Sequence, residues 1–438
     1  MNNKNNISRR KFIKTMIGGG LILAGGNMFS GCFDKTESVP DKVEPELPEK
    51  TADLDIEYLR QIVTKDTLNS RCIMWQSEAV MTSPTLEVRL HDAKDIQTVA
   101  AIDRTFTDDG QTNYQYTAII DNLSANTEYE YRIAEGDHCT EWHNFKTGNG
   151  TNFKMLVFPD SQSADYDFWS ELANNAYKRN SDAELFTNVG DIVDNGEDRF
   201  QWHAWMDGVD DLLEDMPFAP VMGNHETYNR QWQVRQPEAY LKYFDVPDNG
   251  NEKFNHRYYS FDYGNAHFIV LDTQWDELNE VSDGDGQNLI NEQKNWLRQD
   301  VQSSNKKWKI VLMHKDVLQY RIPGRPDRRE GFSNMGVEFM PLFDELKIDI
   351  VFTAHLHTYR DRGHIYNFEH NPQGPLYILT GVAGDVRYPG LWIKHALDEV
   401  IAPQPDTNNY LTMEVTDNAI DVKCFLPDGT EIDHVTVN

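Results

Sequence analysis

The sequence predicts an α/β domain preceded by a smaller all-β sandwich. From about residue 152 onward, short apolar strands alternate with helical segments, which is the rhythm of an α/β fold. Between about residues 55 and 149, apolar and polar residues alternate with period two and no helical period is seen. A Gly-Asn-Gly segment at 148–150 separates the two patterns, so we expect domains at 55–149 and 150–438.

The composition supports a sizeable core and argues against nucleic-acid binding. The chain has 438 residues, of which 39% are hydrophobic, and its formal net charge is −30. Such an acidic surface repels phosphate backbones. A small anionic substrate would need a local positive charge, supplied by metal ions or by clustered arginines.

Cysteines are few and widely spaced. Cys32, Cys72, Cys139 and Cys424 form no C-x-x-C pair that would indicate a zinc knuckle. Their scarcity also argues against a disulfide scaffold. Whether Cys72 and Cys139 are bridged stays open, because the sequence does not fix connectivity.

The first 32 residues have the pattern of a twin-arginine export signal. Arg9 and Arg10 precede Phe12 and an apolar run from 16 to about 26 that is too short for a spanning helix. Small residues before Cys32 resemble a bacterial lipobox, which implies a lipid on Cys32 and a periplasmic or cell-surface lipoprotein. A general secretory signal and a plain cleavage site are the alternatives. Residues 33–54 are rich in proline and charge, so we expect a disordered tether.

The all-β domain has strand patterns at 71–76, 85–90, 117–120 and 128–133. Turn clusters at 108–110 and 125–127 separate them. An early Trp75 and a late run from Leu123 to Tyr131 resemble a fibronectin type III domain. The domain offers no clustered histidines or paired acids, so we assign it no catalytic residue.

Polar side chains of ligand type follow each of five strands in the second domain. The strands and the residues that follow them are 153–158 with Asp160 and Gln162, 184–189 with Asp191, Asp194 and Asn195, 218–222 with Asn224 and His225, 309–313 with His314, and 348–353 with His355 and His357. Sites in open α/β sheets form at the carboxyl ends of strands. Carboxylate, amide and imidazole donors suit Zn, Fe or Mn, so the sequence predicts a metal site there.

The order of these motifs resembles the calcineurin-like metallophosphoesterase superfamily. With a leading fibronectin-like domain, the chain is most similar to the purple acid phosphatase branch. The resemblance covers about residues 55–438 and implies a four-layer metallophosphoesterase sandwich, an α/β (α+β) fold.

The resemblance also implies a site for two metal ions, divalent Fe, Mn or Zn. Carried over by position, the ligands are Asp160, Asp191, His357 and perhaps Gln162 for one ion, and Asp191, Asn224, His314 and His355 for the other. Asp191 would bridge the ions. His225 would stand over the phosphate as a catalytic acid, and Asp194 and Asn195 would orient neighbouring ligands.

The implied activity is hydrolysis of small phosphate monoesters by direct attack of a metal-bound hydroxide, without a phosphoenzyme. A phosphodiesterase acting on nucleotides or cyclic nucleotides is the alternative within the same superfamily. An inactive surface lipoprotein that only captures phosphate-containing ligands is the alternative of another class.

Three positions depart from the family pattern. Gln162 stands where the superfamily has histidine, which weakens one ligand. Asp194 stands where purple acid phosphatases have a metal-binding tyrosine, so their purple colour is not expected. Ala354 replaces a glycine before the first histidine of the last motif, with a loss of freedom at positive φ.

A basic loop follows the strand that ends at His314. It carries four arginines within nine positions, namely Arg321, Arg325, Arg328 and Arg329. Arginine binds phosphate oxygens in pairs, so this loop is a candidate substrate-binding element. A solvated loop paired with surface acids is an equal alternative.

Overall fold

Three large β-sheets and one two-stranded sheet organise the part of the chain described by a computed structural model, residues 50–403 and 407–438. The predicted export signal, Cys32 with its predicted lipid, and residues 33–49 of the predicted tether lie outside the described residues. Within the described ranges, none of the helices combines the length and apolar character needed to cross a membrane.

The N-terminal strands follow one another along the chain. They are β1 (Thr51–Ala52), β2 (Glu57–Ile62), β3 (Arg71–Ser77), β4 (Thr85–Leu90), β5 (Gln97–Ala100), β6 (Ile102–Asp103), β7 (Phe106–Asp108), β8 (Gln111–Ile120), β9 (Glu128–Glu135), β10 (His138–Cys139) and β11 (His143–Lys146). One sheet has the order β1-β10-β9-β4-β5, with β11 also on β9. The facing layer contains β2, β3 and β8.

These two layers enclose a small core of their own. Trp75 is fully buried and stacks on Tyr116 with ring centroids 5.9 Å apart. The hydroxyl of Tyr129 accepts a hydrogen bond from the amide of Ser124 at 2.8 Å, which closes the corner before β9. The region is therefore a β-sandwich, as the alternation of its residues predicts.

The second region has helices α1 (Asp167–Arg179), α2 (Arg199–Gly208), α3 (Asp210–Asp215), α4 (Glu238–Tyr243), α5 (Trp275–Val281), α6 (Asp285–Ser303) and α7 (Asn334–Leu346). Its strands are β12 (Phe153–Phe158), β13 (Leu185–Asn188), β14 (Phe218–Pro220), β15 (Tyr259–Tyr263), β16 (Ala266–Leu271), β17 (Trp308–Met313), β18 (Leu318–Gln319), β19 (Gly331–Phe332), β20 (Ile350–Thr353), β21 (Tyr359–Tyr366), β22 (Glu369–His370), β23 (Leu376–Thr380), β24 (Val400–Ile401), β25 (Tyr410–Val415), β26 (Ile420–Phe425) and β27 (Glu431–Val437).

Apart from β18 and β19, which pair only with each other, these strands belong to two mixed sheets that pack face to face. One runs β27-β26-β25-β12-β13-β14 and the other β15-β16-β17-β20-β23-β21. Alternate residues of β17 show the layering. Ile310 and Leu312 join the core between the sheets, whereas Val311 and Met313 pack in a second core with Leu297 of α6 and Phe339 of α7.

The β-sandwich and the α/β region share a sheet rather than only a linker. Strand β2 continues the sheet beyond β14, with Ile62 opposite Phe218 in a parallel register. The amide of Val63 also donates to the carbonyl of Phe218 at 3.1 Å. The sequence predicts two domains that meet at 148–150. The shared sheet is not visible in the sequence, because pairing between strands that are distant along the chain leaves no local pattern.

Two further expectations can be compared with the structure. The tether expected at 33–54 includes Thr51 and Ala52, yet these two residues pair in parallel with β10. Strand pairing satisfies their backbone groups without a large apolar side chain. Cys72, Cys139 and Cys424 are all buried and unbridged. The Cys72 thiol lies 3.3 Å from the Thr117 hydroxyl, so it has a polar partner in its own sheet.

Candidate metal centre

The loops after β12, β13, β14, β17 and β20 meet at one edge of the two facing sheets. Asp160 follows β12, and both of its carboxylate oxygens accept from the backbone amide of His355, at 3.0 and 3.2 Å. The carbonyl of Asp160 accepts from the amides of Ala383 and Gly384, at 2.8 and 2.9 Å. The two sheets are thus joined directly beneath the site.

One set of donor atoms is formed by Asp191, His314 and His355, whose ligand atoms lie within 4.8 Å of one another. Nε2 of His314 is 3.1 Å from Oδ2 of Asp191 and 3.2 Å from Nδ1 of His355. Oδ1 of Asn224 lies 3.2 Å from the same Nε2. Donors about 2.0–2.2 Å from one ion stand about this far apart, so the four side chains fit a single cation.

The orientation of His314 is set by the protein backbone. Its Nδ1 lies 2.9 Å from the carbonyl of Val189 and donates to it. Nε2 is then the nitrogen that faces the site, where a cation could replace its proton.

A second set of donor atoms is formed by Asp160, Asp191 and His357, which also lie within 4.8 Å of one another. Nε2 of His357 is 3.1 Å from Oδ2 of Asp160. Nδ1 of His357 donates to the carbonyl of Val386 at 2.7 Å, which again leaves Nε2 for a ligand. Because Asp191 belongs to both sets, the two sets fit a pair of ions that share this carboxylate.

Gln162 supports the same fit. Its Nε2 donates to Oδ1 of Asp194 at 3.2 Å. Its Oε1 is buried and has no hydrogen-bond partner within the described residues. A buried amide oxygen without a donor is costly, and a cation at this position would satisfy it.

Three of the donor residues have left-handed backbones. The φ angles are 48° at Asp191, 76° at His355 and 52° at His357. Ala354 does not have a positive φ, so this position does not need the left-handed conformation that glycine would permit. The left-handed residues of this motif are the histidines themselves.

Two glycines make room for the donor residues. Gly190 has a φ of 90°, and a Cβ there would collide with the ring of His314. A Cβ on Gly223 would collide with the amide and carboxylate of Asp191. Both positions therefore require glycine for close approach.

Glu226 holds the Asp191 loop against the Asn224 loop. Its buried carboxylate accepts hydrogen bonds of 2.6–3.2 Å from the backbone amides of Asp191, Ile192, Val193 and Gly223. Burial, together with the charge of Asp191, raises the pKa of Glu226 to about 7. The sequence pattern predicts no role for Glu226, although this residue directly follows the Asn224-His225 pair.

His225 stands beside the donor sets and outside them. Its Nδ1 donates to the carbonyl of Asp194 at 2.7 Å, and its Nε2 lies 4.0 Å from Oδ2 of Asp191. Nε2 also lies 3.4 Å from Nε2 of Gln162. The ring therefore presents Nε2 toward the space where the two donor sets meet.

The buried charges within the site stabilise one another. Burial opposes ionisation of Asp191, but the adjacent imidazoles, His314 first, bring its pKa below the usual range. Burial also works against the charged form of His314, yet Asp191 raises its pKa to about 9. Burial and the charge of His314 lower the pKa of His355, which keeps that ring neutral. A cation would take the place of the shared proton.

Two groups of residues lie further from the donors. Asn195 accepts from the amide of Glu197 at 3.2 Å and donates to the carbonyl of Asn229, so it connects two loops rather than orienting a ligand directly. The four arginines of the 321–329 loop are exposed and border a shallow pocket of about 450 Å³. Within the described part of the chain, this pocket includes none of the donor residues.

Two hydrogen bonds, made by the neighbouring residues Ile393 and Trp392, connect the arginine loop to the last histidine motif. The carbonyl of Arg321 accepts from the amide of Ile393 at 3.1 Å. The neighbouring Trp392 donates from its indole to the carbonyl of Leu356 at 2.6 Å, between the two histidines of the last motif. Arg321 itself pairs with Glu330 at 3.4 Å.

Comparison with known proteins places this geometry in a family. A model described as calcineurin-like phosphoesterase matches residues 137–359, just over half of the chain. A model described as the N-terminal domain of purple acid phosphatase matches residues 57–147.

Curated relatives include acid phosphatases of plants and of the mouse. Purple acid phosphatase 23 of Arabidopsis thaliana is 28% identical over 189 residues, which are 42% of this chain and 38% of that protein. Acid phosphatase type 7 of Mus musculus is 26% identical over 315 residues, 64% of this chain and 67% of that protein. The chain spans less than half the length of the plant relatives that match first.

Solved structures share the fold. The purple acid phosphatase PPD1 of yellow lupin seeds has a TM-score of 0.74 at 17% identity, covering 87% of this chain and 74% of that one. A structure of PhoD has a TM-score of 0.59 at 13% identity, with 90% and 94% covered. The predicted fold class and the predicted resemblance are both confirmed, and this chain belongs to the calcineurin-like phosphoesterase family.

Proposed function

We propose that this chain hydrolyses phosphate monoesters at a centre of two metal ions. The observation that carries the proposal is the pair of donor sets that share Asp191. Family membership supports a phosphoesterase, and the acid phosphatase relatives favour monoesters.

The proposed ligands follow the two donor sets. Asp160, Asp191 and His357, with Oε1 of Gln162, would hold one ion. Asp191, Asn224, His314 and His355 would hold the other. When bound, such a pair of cations neutralises the charge on a phosphoryl group and lowers the pKa of water.

The chain's own residues contribute orientation and a proton. Val189 and Val386 fix the ring nitrogens of His314 and His357 through their carbonyls, so the donors are preorganised. His225 is held by the Asp194 carbonyl with Nε2 turned toward the site. As an imidazolium, with both ring nitrogens protonated, it donates a hydrogen bond or a proton from Nε2 to the leaving oxygen of the ester.

We also propose that the chain acts outside the cytoplasm. The paired Arg9 and Arg10 support twin-arginine export, and Cys32 supports a lipid anchor to a membrane. Small phosphate esters are the expected partners, and the net charge of −30 speaks against nucleic acids.

The test compares Asp191→Asn with Asp283→Asn, an exposed carboxylate away from the donor sets. We expect Asp191→Asn to lose bound metal and nearly all monoester turnover, because one carboxylate serves both sets. Metal analysis and a panel of mono- and diesters are the measurements. Normal turnover with two metals in Asp191→Asn would reject the proposal. Metal binding without turnover of any ester by the native chain would indicate a binding protein, and diester preference a phosphodiesterase.

A further inference from the structure

The arginine loop, residues 321–329, is a patch of positive charge in an acidic protein. The whole chain has 71 Asp and Glu against 41 Lys and Arg, whereas this loop has four arginines and one acid, Asp327. All four arginine side chains are exposed. Charges of one sign around a cavity concentrate the field there and raise the local concentration of counter-ions. The loop therefore attracts anions to a surface that otherwise repels them.

Three of the four arginines have no acidic partner. Arg321 pairs with Glu330 at 3.4 Å. Within residues 50–403 and 407–438, no carboxylate oxygen lies within 4.0 Å of the guanidinium nitrogens of Arg325, Arg328 or Arg329. A loop paired with surface acids, one of the two interpretations that the sequence leaves open, thus holds for Arg321 alone. Three guanidinium groups remain for an anion from outside the chain.

The backbone of the loop is held in turns. At its base β18 and β19 pair, with Leu318 opposite Phe332. Within the loop, the amide of Arg325 donates to the carbonyl of Ile322 and the amide of Arg328 donates to the carbonyl of Arg325, both at 3.1 Å. A ligand would then order the arginine side chains but not the backbone that carries them, which lowers the entropic cost of binding.

All four arginines border one shallow cavity of about 450 Å³. Ile393 and Glu330 also line it. The carboxylate of Glu330 is already engaged, because it pairs with Arg321 and accepts from the amide of Ala396 at 2.9 Å. Sites for small ligands have volumes of about 300–1,000 Å³, so the cavity is large enough for one.

The guanidinium groups determine which anion fits. Each presents parallel N–H groups that match two oxygens of one phosphate. A single phosphate ester carries a charge of about −1.5 to −2 at pH 7, which is less than the charge of three guanidinium groups. A ligand with two or more phosphate groups in succession supplies both the charge and the paired oxygens.

The charge of the remaining surface limits the size of the ligand. Exposed charges are screened beyond about 8 Å at physiological ionic strength, so a compact anion in the cavity interacts mainly with the arginines. A nucleic acid or an anionic membrane would extend past the loop to the surface of a chain whose net charge is −30. Residues 321–329 also expose no large apolar side chain, which binding at a membrane surface commonly uses.

We propose that the arginine loop binds a small soluble ligand that carries two or more consecutive phosphate groups. The site goes beyond the proposed function, because in the described part of the chain none of the metal-donor residues lines this cavity. It binds phosphate through arginine alone and needs no metal ion.

Calorimetric titration of the full chain with tripolyphosphate tests this site. Each protein carries Asp191→Asn, so that the metal centre neither retains nor hydrolyses the ligand; chelator-treated chains without this substitution repeat the series if it prevents folding. The test variant is Arg325→Ala with Arg328→Ala. The control, Lys94→Ala with Lys178→Ala, removes the same charge from exposed positions elsewhere.

We expect the parent and the lysine control to bind tripolyphosphate equally, and the arginine variant to bind it about 10-fold more weakly or worse, because two of three unpaired cations are lost. Citrate should bind more weakly than tripolyphosphate, and vesicles of phosphatidylcholine with phosphatidylglycerol should not bind. Native affinity in the arginine variant, or an equal loss in the lysine control, overturns the proposal. So does citrate binding of equal strength, or vesicle binding that depends on the same arginines. No ester hydrolysis is measured, so failure of the proposed function would leave this result unchanged.

Discussion

At the scale of single residues, the site depends on backbone conformations that the sequence does not display. Asp191, His355 and His357 all adopt left-handed φ angles, although none is glycine. Such residues cost about 1–3 kcal/mol each and persist only where their surroundings fix them. Identity and order of the donor residues were readable from the motifs, whereas this strain and the part played by Glu226 were not.

Glu226 is the residue that offsets part of this strain at Asp191. Replacing it by glutamine places an NH2 group against backbone amides that need an acceptor. We expect Glu226→Gln to weaken metal binding about 10–100-fold, as loss of a supporting partner of a ligand does, and to lower Tm. Metal titration and thermal unfolding are the measurements. Glu171→Gln, at an exposed position on α1, is the control; equal metal affinity in both variants would contradict this role.

Asp194 bears on the colour and metal requirement of the protein. Its Oδ1 accepts from Gln162, and it lies outside both donor sets. A carboxylate cannot give the phenolate-to-iron absorption that a tyrosine at this position implies. We expect a colourless or pale protein that loses activity on chelation and regains it with Zn, Mn or Fe as divalent ions alone. Visible spectra and metal reconstitution measure this; an intense band lost on reduction, or a requirement for Fe(III), would contradict it.

At the scale of elements, ion pairs connect strands β15 and β16 to helix α6. His267 of β16 contacts Asp262 of β15 through Nδ1 at 2.7 Å and Asp300 of α6 through Nε2 at 2.9 Å. Burial alone would lower its pKa, but the two carboxylates raise it from 6.5 to about 9. The protonated ring therefore stabilises the packing of α6 on the sheet.

The pKa of His267 gives a pH dependence of stability. Because the folded pKa is raised, the contribution is fully present below pH 6.5 and is lost as pH rises through about 9. At about 1.4 kcal/mol per pKa unit, it is at most about 3.5 kcal/mol. We expect the free energy of unfolding in urea to fall between pH 6.5 and 9, and to fall less in His267→Gln. The same slope in both proteins would contradict the assignment.

The predicted positions of strands in the α/β region agree with the structure, but some of the predicted strand ends do not. The predicted strand 153–158 coincides with β12, whereas 184–189 and 218–222 are longer than β13 and β14. The apolar residues beyond those strands are buried in the loops that carry Asp191 and Asn224. The regular ladder ends there, although the amides of Val189 and Val221 still donate to the carbonyls of Phe158 and Asn188, at 2.9 and 3.2 Å. Apolar runs mark burial rather than regular strand geometry, so they extend past the strand.

At the scale of the whole molecule, the β-sandwich is part of the structure that holds the site. Besides the pairing of β2 with β14, the buried guanidinium of Arg60 donates to the carbonyl of Tyr243 at 2.9 Å. Ile62, Val63 and Phe106 lie in the same core as Phe218. The period-two alternation predicted a sandwich; it could not show which strand edge that sandwich would share.

An ion pair between Asp108 and Arg235 connects the β-sandwich to the loop beside the metal centre. Asp108 of β7 accepts two hydrogen bonds from Arg235, at 2.8 and 2.9 Å, and the amide of Arg235 donates to the carbonyl of Thr227 at 2.8 Å. Arg235 thus fastens the base of the turn that starts beside His225 and carries Trp232. A carboxylate of the sandwich thereby positions a loop of the other region.

We therefore expect Asp108→Ala to lower kcat/KM for monoesters although it touches no donor residue. Loss of a paired, largely buried carboxylate releases the turn, and about 1 kcal/mol of coupling corresponds to roughly a fivefold change. Arg235→Ala should act alike, and the double variant should be no worse than either one, because both remove the same interaction. Asp121→Ala, an exposed carboxylate of the same sandwich, is the control. Additive effects of the two substitutions, or native kcat/KM in Asp108→Ala, would show that the sandwich supports the fold without positioning the site.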